Sequence, residues 1–189
     1  MRKNGKRPAA KRRTQIGSAG IISAAERLFA KHGVNNVSLS QISKEAGLAN
    51  LYSVQYHFEH RTGLLKAIFE KRLPEFEERR KELLGKYRAS KDKNINRYLF
   101  DCLCRPFLEN ALDDKDFCFA SIMIEVVRDR DLMSLRAGLS KLTPVSNQIT
   151  HELRANLRFD EDVFYFRLFV SFSIMLDVIS NAGWWSVRR

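Results

Sequence analysis

A short segment of the chain combines side chains that can hydrogen-bond to the edges of nucleic-acid bases. Residues 50–57 hold one asparagine, one glutamine, one serine, two tyrosines and one histidine. Glutamine and asparagine can each form two hydrogen bonds with adenine, while tyrosine and serine can reach phosphate oxygens. The segment therefore predicts a contact surface for duplex DNA, with six candidate residues: Asn50, Tyr52, Ser53, Gln55, Tyr56 and His57.

Positive charge is concentrated at the beginning of the chain. The first 61 of the 189 residues carry 11 Lys and Arg against 3 Asp and Glu, whereas the rest carry 22 against 19. We predict that residues 1–13 form a disordered basic arm, because they include seven basic residues and few apolar ones. Arg12 and Arg13 are expected to contact a polyanion, with nucleic acid considered before an anionic membrane surface. A solvated tail without a role is the alternative.

The candidate contact residues need a rigid support, which the apolar pattern behind the arm supplies. Apolar residues recur every three or four positions over residues 21–29, as in an amphipathic helix, and Gly33 is placed to end that helix. Val54 and Phe58 are expected to point inward from the contact segment and to pack against Phe29 and Leu39. This arrangement would leave the polar residues of the segment facing outward.

A helix start and a turn precede the contact segment. Ser38 and Gln41 fit a capping box, in which each side chain satisfies a backbone donor of the other residue. Gly47 follows as a turn, and Asn50 is the predicted N-cap of the next helix. The pattern predicts a helix-turn-helix: residues 38–46 brace the DNA backbone, with Ser38 as a further candidate contact, and the next helix enters the major groove.

Residues 14–72 resemble the DNA-binding domain of the tetracycline-repressor (TetR) family of bacterial regulators. Hydrophobic and glycine positions agree over about 50 consecutive residues, which is far more specific than a helix-turn-helix pattern alone. The matching pieces are Ala25-Glu-Arg-Leu-Phe-Ala-Lys-His-Gly33, Val37-Ser-Leu-Ser-Gln-Ile-Ser-Lys-Glu-Ala-Gly47, Val54-Gln-Tyr-His-Phe58 and Gly63-Leu-Leu65.

The resemblance implies roles for individual residues. Tyr56 and His57 match the family's Tyr-His-Phe ending, where both side chains commonly contact phosphates, and Arg61 matches a basic residue with the same role. Two features depart from the family pattern: residues 46–58 are one residue longer than the commonest form, and Glu59-His60 replaces a pair of small residues. The resemblance further implies a homodimer that binds double-stranded operator DNA, with a small-molecule inducer held by the C-terminal helices.

The chain beyond residue 60 keeps a helical period, and no alternating strand pattern persists. We therefore predict an all-α fold with an N-terminal three-helix helix-turn-helix DNA-binding domain over residues 14–60. A C-terminal helical ligand-binding and dimerisation domain is predicted over residues 61–189. Pro74 is expected to kink the first of its helices, and Pro144 to bend or divide a later one. Its helical stretches are predicted at 61–84, 93–111, 117–129, 131–157 and 160–182.

The last helical stretch is apolar on nearly every side, so it must be covered on more than one side. The domain's own core can cover one side, and a second copy of the chain is the simplest cover for the other. The predicted dimer contacts are Phe166, Phe169, Val170 and Ser173. Phenylalanines and a methionine in the same domain are either core or the lining of a ligand pocket, and the pocket candidates are Phe107, Phe119, Met123 and Phe172.

Other classes of protein find less support in the sequence. No Ser/His/Asp or Cys/His set, glycine-rich phosphate loop or metal-ligand spacing is present, so we predict no enzyme, no metal and no cofactor. The three cysteines are expected to be small buried hydrophobes. The apolar run 163–179 is interrupted by Arg167 and Asp177, and we expect a cytoplasmic protein outside the membrane. The leading hypothesis is a ligand-responsive repressor; the alternative is an architectural DNA-binding protein without operator preference.

Overall fold

The structure is a computed structural model that describes residues 8–48, 50, 52–89, 94–113 and 119–181, with the side chains of 8–16, 133 and 136 left out. In these ranges the chain forms nine α-helices and no β-strand, which confirms the predicted all-α class. A short 3-10 turn, Ser140–Leu142, joins the seventh and eighth helices. The helices are α1 (Pro8–His32), α2 (Leu39–Glu45), α3 (Ser53–Phe58), α4 (Arg61–Arg88), α5 (Ile95–Asp113), α6 (Phe119–Arg128), α7 (Met133–Leu139), α8 (Pro144–Leu157) and α9 (Glu161–Ser180).

Helix α1 starts earlier than the sequence pattern predicted. It begins at Pro8, so the prediction of a disordered arm is wrong for residues 8–13. Proline suits a first helical turn because its missing N–H would have no partner there, and the alanine, lysine and arginine residues that follow favour a helix. The first seven residues of the predicted arm, and the side chains of Arg12 and Arg13, lie outside the described part of the chain.

The caps around α2 follow the predicted pattern. Gly33 adopts φ +86°, which suits a residue without a side chain, and ends α1. The capping box of α2 is complete, because the Ser38 hydroxyl accepts from the Gln41 amide at 3.2 Å and the Gln41 side chain accepts from the Ser38 amide at 2.8 Å. These two contacts fix the direction in which α2 leaves the turn.

Helix α4 is one continuous helix of 28 residues with Pro74 inside it. It passes through Gly85 and ends at Arg88, four residues beyond the predicted end. Its second half is rich in charged residues, and two of them, Glu77 and Arg80, are buried. Both lie on the apolar side of the helix and contact neighbouring helices, α5 through Leu103 and α8 through Val145. As predicted, Pro144 starts a separate helix, α8.

A continuous apolar core crosses the predicted domain boundary at residue 60. One cluster of buried side chains joins α1, α2 and α3 to α4, α6 and the second half of α9, while a smaller cluster joins α4, α5, α8 and the first half of α9. Polar contacts reinforce the junction. The Glu125 carboxylate of α6 accepts from the Val34 amide at 2.7 Å. Buried Glu26 of α1 pairs with Lys71 and Arg72 of α4.

Candidate nucleic-acid interface and C-terminal cleft

The outer face of α3 is polar and open to solvent. Tyr52 is 74% exposed and Tyr56 is 83% exposed, and Asn50 and Gln55 are exposed as well. These side chains together form an exposed patch that can both donate and accept hydrogen bonds. The inner face of α3 holds Val54, which is completely buried in the main core.

The packing of α3 explains why its polar residues point outward. Phe58 and Leu39 are half-buried against the same cluster that contains Val54 and Phe29, as the sequence pattern predicted. Gly47, at φ +69°, makes the turn between α2 and α3. The helix is therefore held on one side by apolar contacts while its other side stays free for a partner.

Asn50 lies before α3 and does not cap it. The prediction of an N-cap at Asn50 is wrong, because α3 begins at Ser53 and the residue at its N-cap position is Tyr52, which makes no side-chain cap. The Asn50 side-chain oxygen instead accepts from the Tyr52 amide at 2.9 Å, the local turn that asparagine commonly forms. Asn50 thus shapes the entry into α3.

Two other candidate contact residues, Arg61 and Ser38, have structural partners, and His57 is partly covered. The Arg61 guanidinium donates to the Val37 carbonyl at 3.0 Å and to the Asn35 side chain at 3.3 Å, so Arg61 holds the turn before α2. The Ser38 hydroxyl is committed to the capping box. His57 is half-buried, and its imidazole lies 4.0 Å from where a Cβ on Gly17 would be. A phosphate contact by any of them remains a prediction.

The turn between α3 and α4 leaves no room for a side chain at one position. Glu59 adopts φ +56°, a conformation that residues other than glycine rarely take, so the chain reverses sharply there. Gly63 packs directly against the backbone of this turn: a Cβ at Gly63 would overlap the Phe58 carbonyl oxygen. The position of α3 relative to α4 thus depends on this glycine.

Replacing Gly63 with alanine should displace the end of α3, because a backbone carbonyl cannot move away as a flexible side chain can. We expect a loss of about 1–3 kcal/mol in the free energy of unfolding, together with weaker DNA binding. Gly20→Ala is the matched control: Gly20 is exposed in α1 with no atom near its Cβ position, so alanine should stabilise by up to about 1 kcal/mol. Thermal unfolding of both variants tests this, and equal melting temperatures would contradict the packing argument.

A cleft of about 420 Å³ opens in the C-terminal part of the chain, between α4, α5, α8 and α9. Its walls are mainly apolar, and its polar end is formed by Arg80, Ser146 and Thr150. Of the four predicted pocket residues, only Phe172 lines this cleft. The other three, Phe107, Phe119 and Met123, are buried in the packed core.

Aromatic rings connect the cleft with the core. The Phe172 ring meets the Phe107 ring edge-on at 5.5 Å between centroids, and Phe107 stacks on Phe119 at 6.1 Å. Phe119 is the first residue of α6. The same helix contains Glu125, whose carboxylate accepts a hydrogen bond from the Val34 amide. Packed side chains therefore run from the cleft to the helix that contacts the N-terminal domain.

Sequence reasoning missed the polar end of the cleft. Glu77 and Arg80 lie in a highly charged part of the sequence, a composition typical of a solvated helix face. A signal was present, since Leu73, Glu77, Arg80 and Leu84 follow one another at spacings of four, three and four and so share a helix face. Two charged residues in an apolar row of this kind indicate a buried pair.

The two described cysteines have unreactive surroundings. Burial raises the pKa of the Cys104 thiol to about 12, and burial also raises the pKa of Cys102. Both thiols are therefore protonated at neutral pH and behave as small hydrophobes. Within the described ranges, no group of three or more His, Cys, Asp or Glu residues is arranged to hold a metal ion.

Helix α9 exposes a row of apolar side chains. Phe166 is 68% exposed and Ile174 is 60% exposed, and both belong to a row with a spacing of three or four residues that also includes Val163, Val170 and Val178. Of the predicted dimer contacts, Phe166, Phe169 and Val170 are exposed and Ser173 is half-buried. By length and composition alone, α9 could cross a membrane, although it carries Arg167 and Asp177 and packs on α5 and α6.

Comparison with known proteins agrees with this architecture. Residues 21–68 match the model of the family described as bacterial regulatory proteins, tetR family. The fold is similar to that of the fatty acid degradation regulator FadR from Bacillus halodurans (TM-score 0.59, 16% identity, covering 100% of this chain and 90% of that one). It is also similar to HlyIIR, a hemolysin II transcriptional regulator (TM-score 0.53, 17% identity, 89% and 97%). RolR without ligand is a further neighbour (TM-score 0.51, 19% identity, 87% and 81%).

At these identities the structural likeness shows the shared fold alone, and no curated protein matches the chain in sequence. The N-terminal helix-turn-helix with its matching family model defines a DNA-binding transcriptional regulator. Residues 21–68 are therefore identified as a DNA-binding domain of the tetR family of bacterial regulatory proteins.

Proposed function

We propose that the protein is a cytoplasmic transcriptional repressor that binds a pseudopalindromic operator as a homodimer and is released by a small molecule. The observation that carries this proposal is the outer face of α3, where Tyr52, Gln55 and Tyr56 are exposed on a helix whose other side is locked into the core. A rigid helix with a polar outer face suits sequence reading in the major groove.

A homodimer would present two copies of α3 to successive major grooves, about 34–36 Å apart. The apolar row on α9 supports such a dimer, because a second copy would cover side chains that otherwise face water. FadR, similar in fold, is described as a regulator of fatty acid degradation, and HlyIIR as a regulator of hemolysin II. By analogy, we propose that this chain also controls a set of genes in response to a signal.

Release by a ligand requires a connection between the cleft and α3. The rings of Phe172, Phe107 and Phe119, followed by α6 and the Glu125 contact with Val34, supply contiguous packing between the two. A ligand acts only through the difference in its affinity for the DNA-binding and released states. We expect this coupling to be about 1–3 kcal/mol, as is typical of allosteric proteins.

The alternative function is an architectural protein that coats DNA without operator preference. Both functions predict a steep dependence of binding on salt, because basic residues are concentrated near the N-terminus. They differ in sequence discrimination. Selection of bound sequences from a random duplex library, with the purified full-length protein, separates them: an inverted repeat supports the operator-binding dimer, whereas unrelated sequences bound equally well support the architectural protein.

Replacing Gln55 with alanine should relax sequence preference at one position of each half-site. A bidentate contact with a base contributes about 1–3 kcal/mol of discrimination, and alanine removes it. Arg12→Ala should instead weaken binding to all sequences and lower the salt slope by about one. Gln148→Ala, at an exposed position of α8, is the control. Fluorescence anisotropy at several salt concentrations measures both quantities, and identical behaviour of the Gln55 and Arg12 variants would contradict the division between reading and anchoring.

A further inference from the structure

The cleft between α4, α5, α8 and α9 has two ends of different chemistry. Leu103, Leu168 and Phe172 form apolar walls, and Arg80 is the one charged residue that lines it among the residues the structure describes. Its volume of about 420 Å³ lies within the range of small-molecule pockets. Size and lining thus suit a small, largely apolar molecule. The charges at the polar end determine whether that molecule can itself be charged.

The charge of Arg80 is already balanced inside the protein. Its guanidinium donates to the Glu77 carboxylate at 3.0 Å and to the Leu103 carbonyl at 3.1 Å, and it lies 5.4 Å from the centroid of the Phe107 ring. Arg80 is only 3% exposed. Burial lowers the pKa of Arg80, and the neighbouring Glu77 carboxylate opposes that effect. The polar end of the cleft is therefore electrically neutral as a pair.

Glu77 is fully engaged as well. Its carboxylate accepts from the Val145 amide at 2.6 Å, from the Ser146 amide at 3.2 Å and from the Ser146 hydroxyl at 2.7 Å, in addition to Arg80. These donors belong to the first turn of α8, where backbone N–H groups lack partners within the helix. An anionic ligand would place a second negative charge beside the Glu77 carboxylate, and the pair holds only one positive charge to balance both. A cationic ligand would meet a carboxylate whose oxygens are already occupied.

Arg80 Nε is a buried donor without a hydrogen-bond partner in the described part of the chain, so the accessible polar group that remains available is Thr150. Its side chain lines the cleft, is half-buried, and makes no hydrogen bond within the described part of the chain. A hydroxyl both donates and accepts, so it can bind one uncharged polar group of a ligand. The mouth of the cleft is flanked by Tyr165 and Phe169 of α9, the helix that carries the exposed apolar row. A bound molecule would thus touch the helix that is proposed to form the dimer.

We infer that this cleft binds an uncharged, largely apolar molecule with one hydrogen-bonding group placed at Thr150, and that the Glu77–Arg80 pair excludes charged analogues of it. This inference rests on the proposed function, because it names the class of molecule that would release the repressor. Unlike an apolar pocket without such an ion pair, this cleft is predicted to discriminate between ligands by their charge.

Two fluorescent probes with the same aromatic skeleton test the discrimination. N-phenyl-1-naphthylamine is uncharged, and 8-anilino-1-naphthalenesulfonate adds one sulfonate to that skeleton. Titration of the full-length protein should give a dissociation constant for the uncharged probe that is at least about tenfold lower. Equal or tighter cleft-dependent binding of the sulfonate would overturn the inference.

Variants assign the signal to the cleft. Thr150→Trp should fill it and abolish binding of the uncharged probe, whereas Gln148→Trp adds the same ring to the exposed side of α8 and should leave binding unchanged. Glu77→Gln removes the counter-charge of Arg80 with little change of shape, so the sulfonate probe should bind more tightly than it does to the wild type. Circular dichroism establishes that each variant is folded. Since the Glu77 and Thr150 variants test the site independently, either one decides the question if the other does not fold.

Operator binding, measured in parallel, separates this inference from the proposed function. A selected inverted repeat without cleft-dependent probe binding would overturn the inference alone. Cleft-dependent binding of the uncharged probe by a protein that selects no operator would leave the site in place and overturn the repressor function.

Discussion

Replacing Glu77 with alanine is expected to lower the free energy of unfolding by about 3–5 kcal/mol, the effect of removing one partner of a buried ion pair. Arg80 would stay buried with its positive charge unbalanced. The first turn of α8 would lose the acceptor for its backbone amides at Val145 and Ser146. Urea unfolding followed by circular dichroism measures the change in stability.

The neighbouring residue supplies a control for this prediction. Glu78 also pairs with a basic residue, Lys81, but both side chains are mostly exposed, so Glu78→Ala should cost no more than about 1 kcal/mol. Replacing Glu77 and Arg80 together with leucine removes both charges and should destabilise less than Glu77→Ala alone. If the Glu77 and Glu78 variants unfold at the same urea concentration, the pair does not hold α8 against α4.

The N-terminal helices could be predicted from sequence because their signals are local. The capping box of Ser38 and Gln41 and the turn at Gly47 depend on residues a few positions apart, and each was found in place. The errors there were also local. Residues 8–13 were predicted to be disordered because of their charge, but they form a helix. Asn50 makes a turn with Tyr52 where an N-cap was expected.

The cleft could not be predicted because it depends on residues far apart in sequence. Glu77 contacts Val145 and Ser146, which lie 68 and 69 positions away. A phenylalanine such as Phe107 is apolar whether it lines a cavity or fills a core, and only the packing of other helices decides between the two. Hence the sequence left core and pocket lining open for Phe107, Phe119, Met123 and Phe172, and in the structure only Phe172 lines the cleft.

Helix α9 could be predicted from the sequence only in part. Its composition predicted that it would be covered on more than one side, and the structure leaves the row from Val163 to Val178 exposed on a single chain. The row follows the helical period. A helix that packs only within its own chain normally has polar residues on its exposed face, so an apolar row there indicates a further contact. The position of Phe169 beside the cleft was not visible in the sequence, so Phe166 is the better residue for testing the proposed dimer.

Replacing Phe166 with glutamate should convert the proposed dimer into monomers. The new carboxylate would lie in the apolar row that is proposed to contact the second chain, and it would have to lose water there without a partner. We expect the dimer dissociation constant to rise by at least about a hundredfold, and operator affinity to fall because a single α3 reads only one half-site. Analytical ultracentrifugation and anisotropy measure the two effects.

Ala137→Glu is the control, since it adds the same charge to an exposed position of α7, away from the apolar row of α9. It should leave the dimer and operator binding unchanged. The unfolding temperature of the Phe166 variant must be measured at matched concentrations, because the loss of a dimer lowers apparent stability by mass action. A dimer that persists in the Phe166 variant would exclude the outer row of α9 from the interface, and the cover for this row would then have to be a different partner.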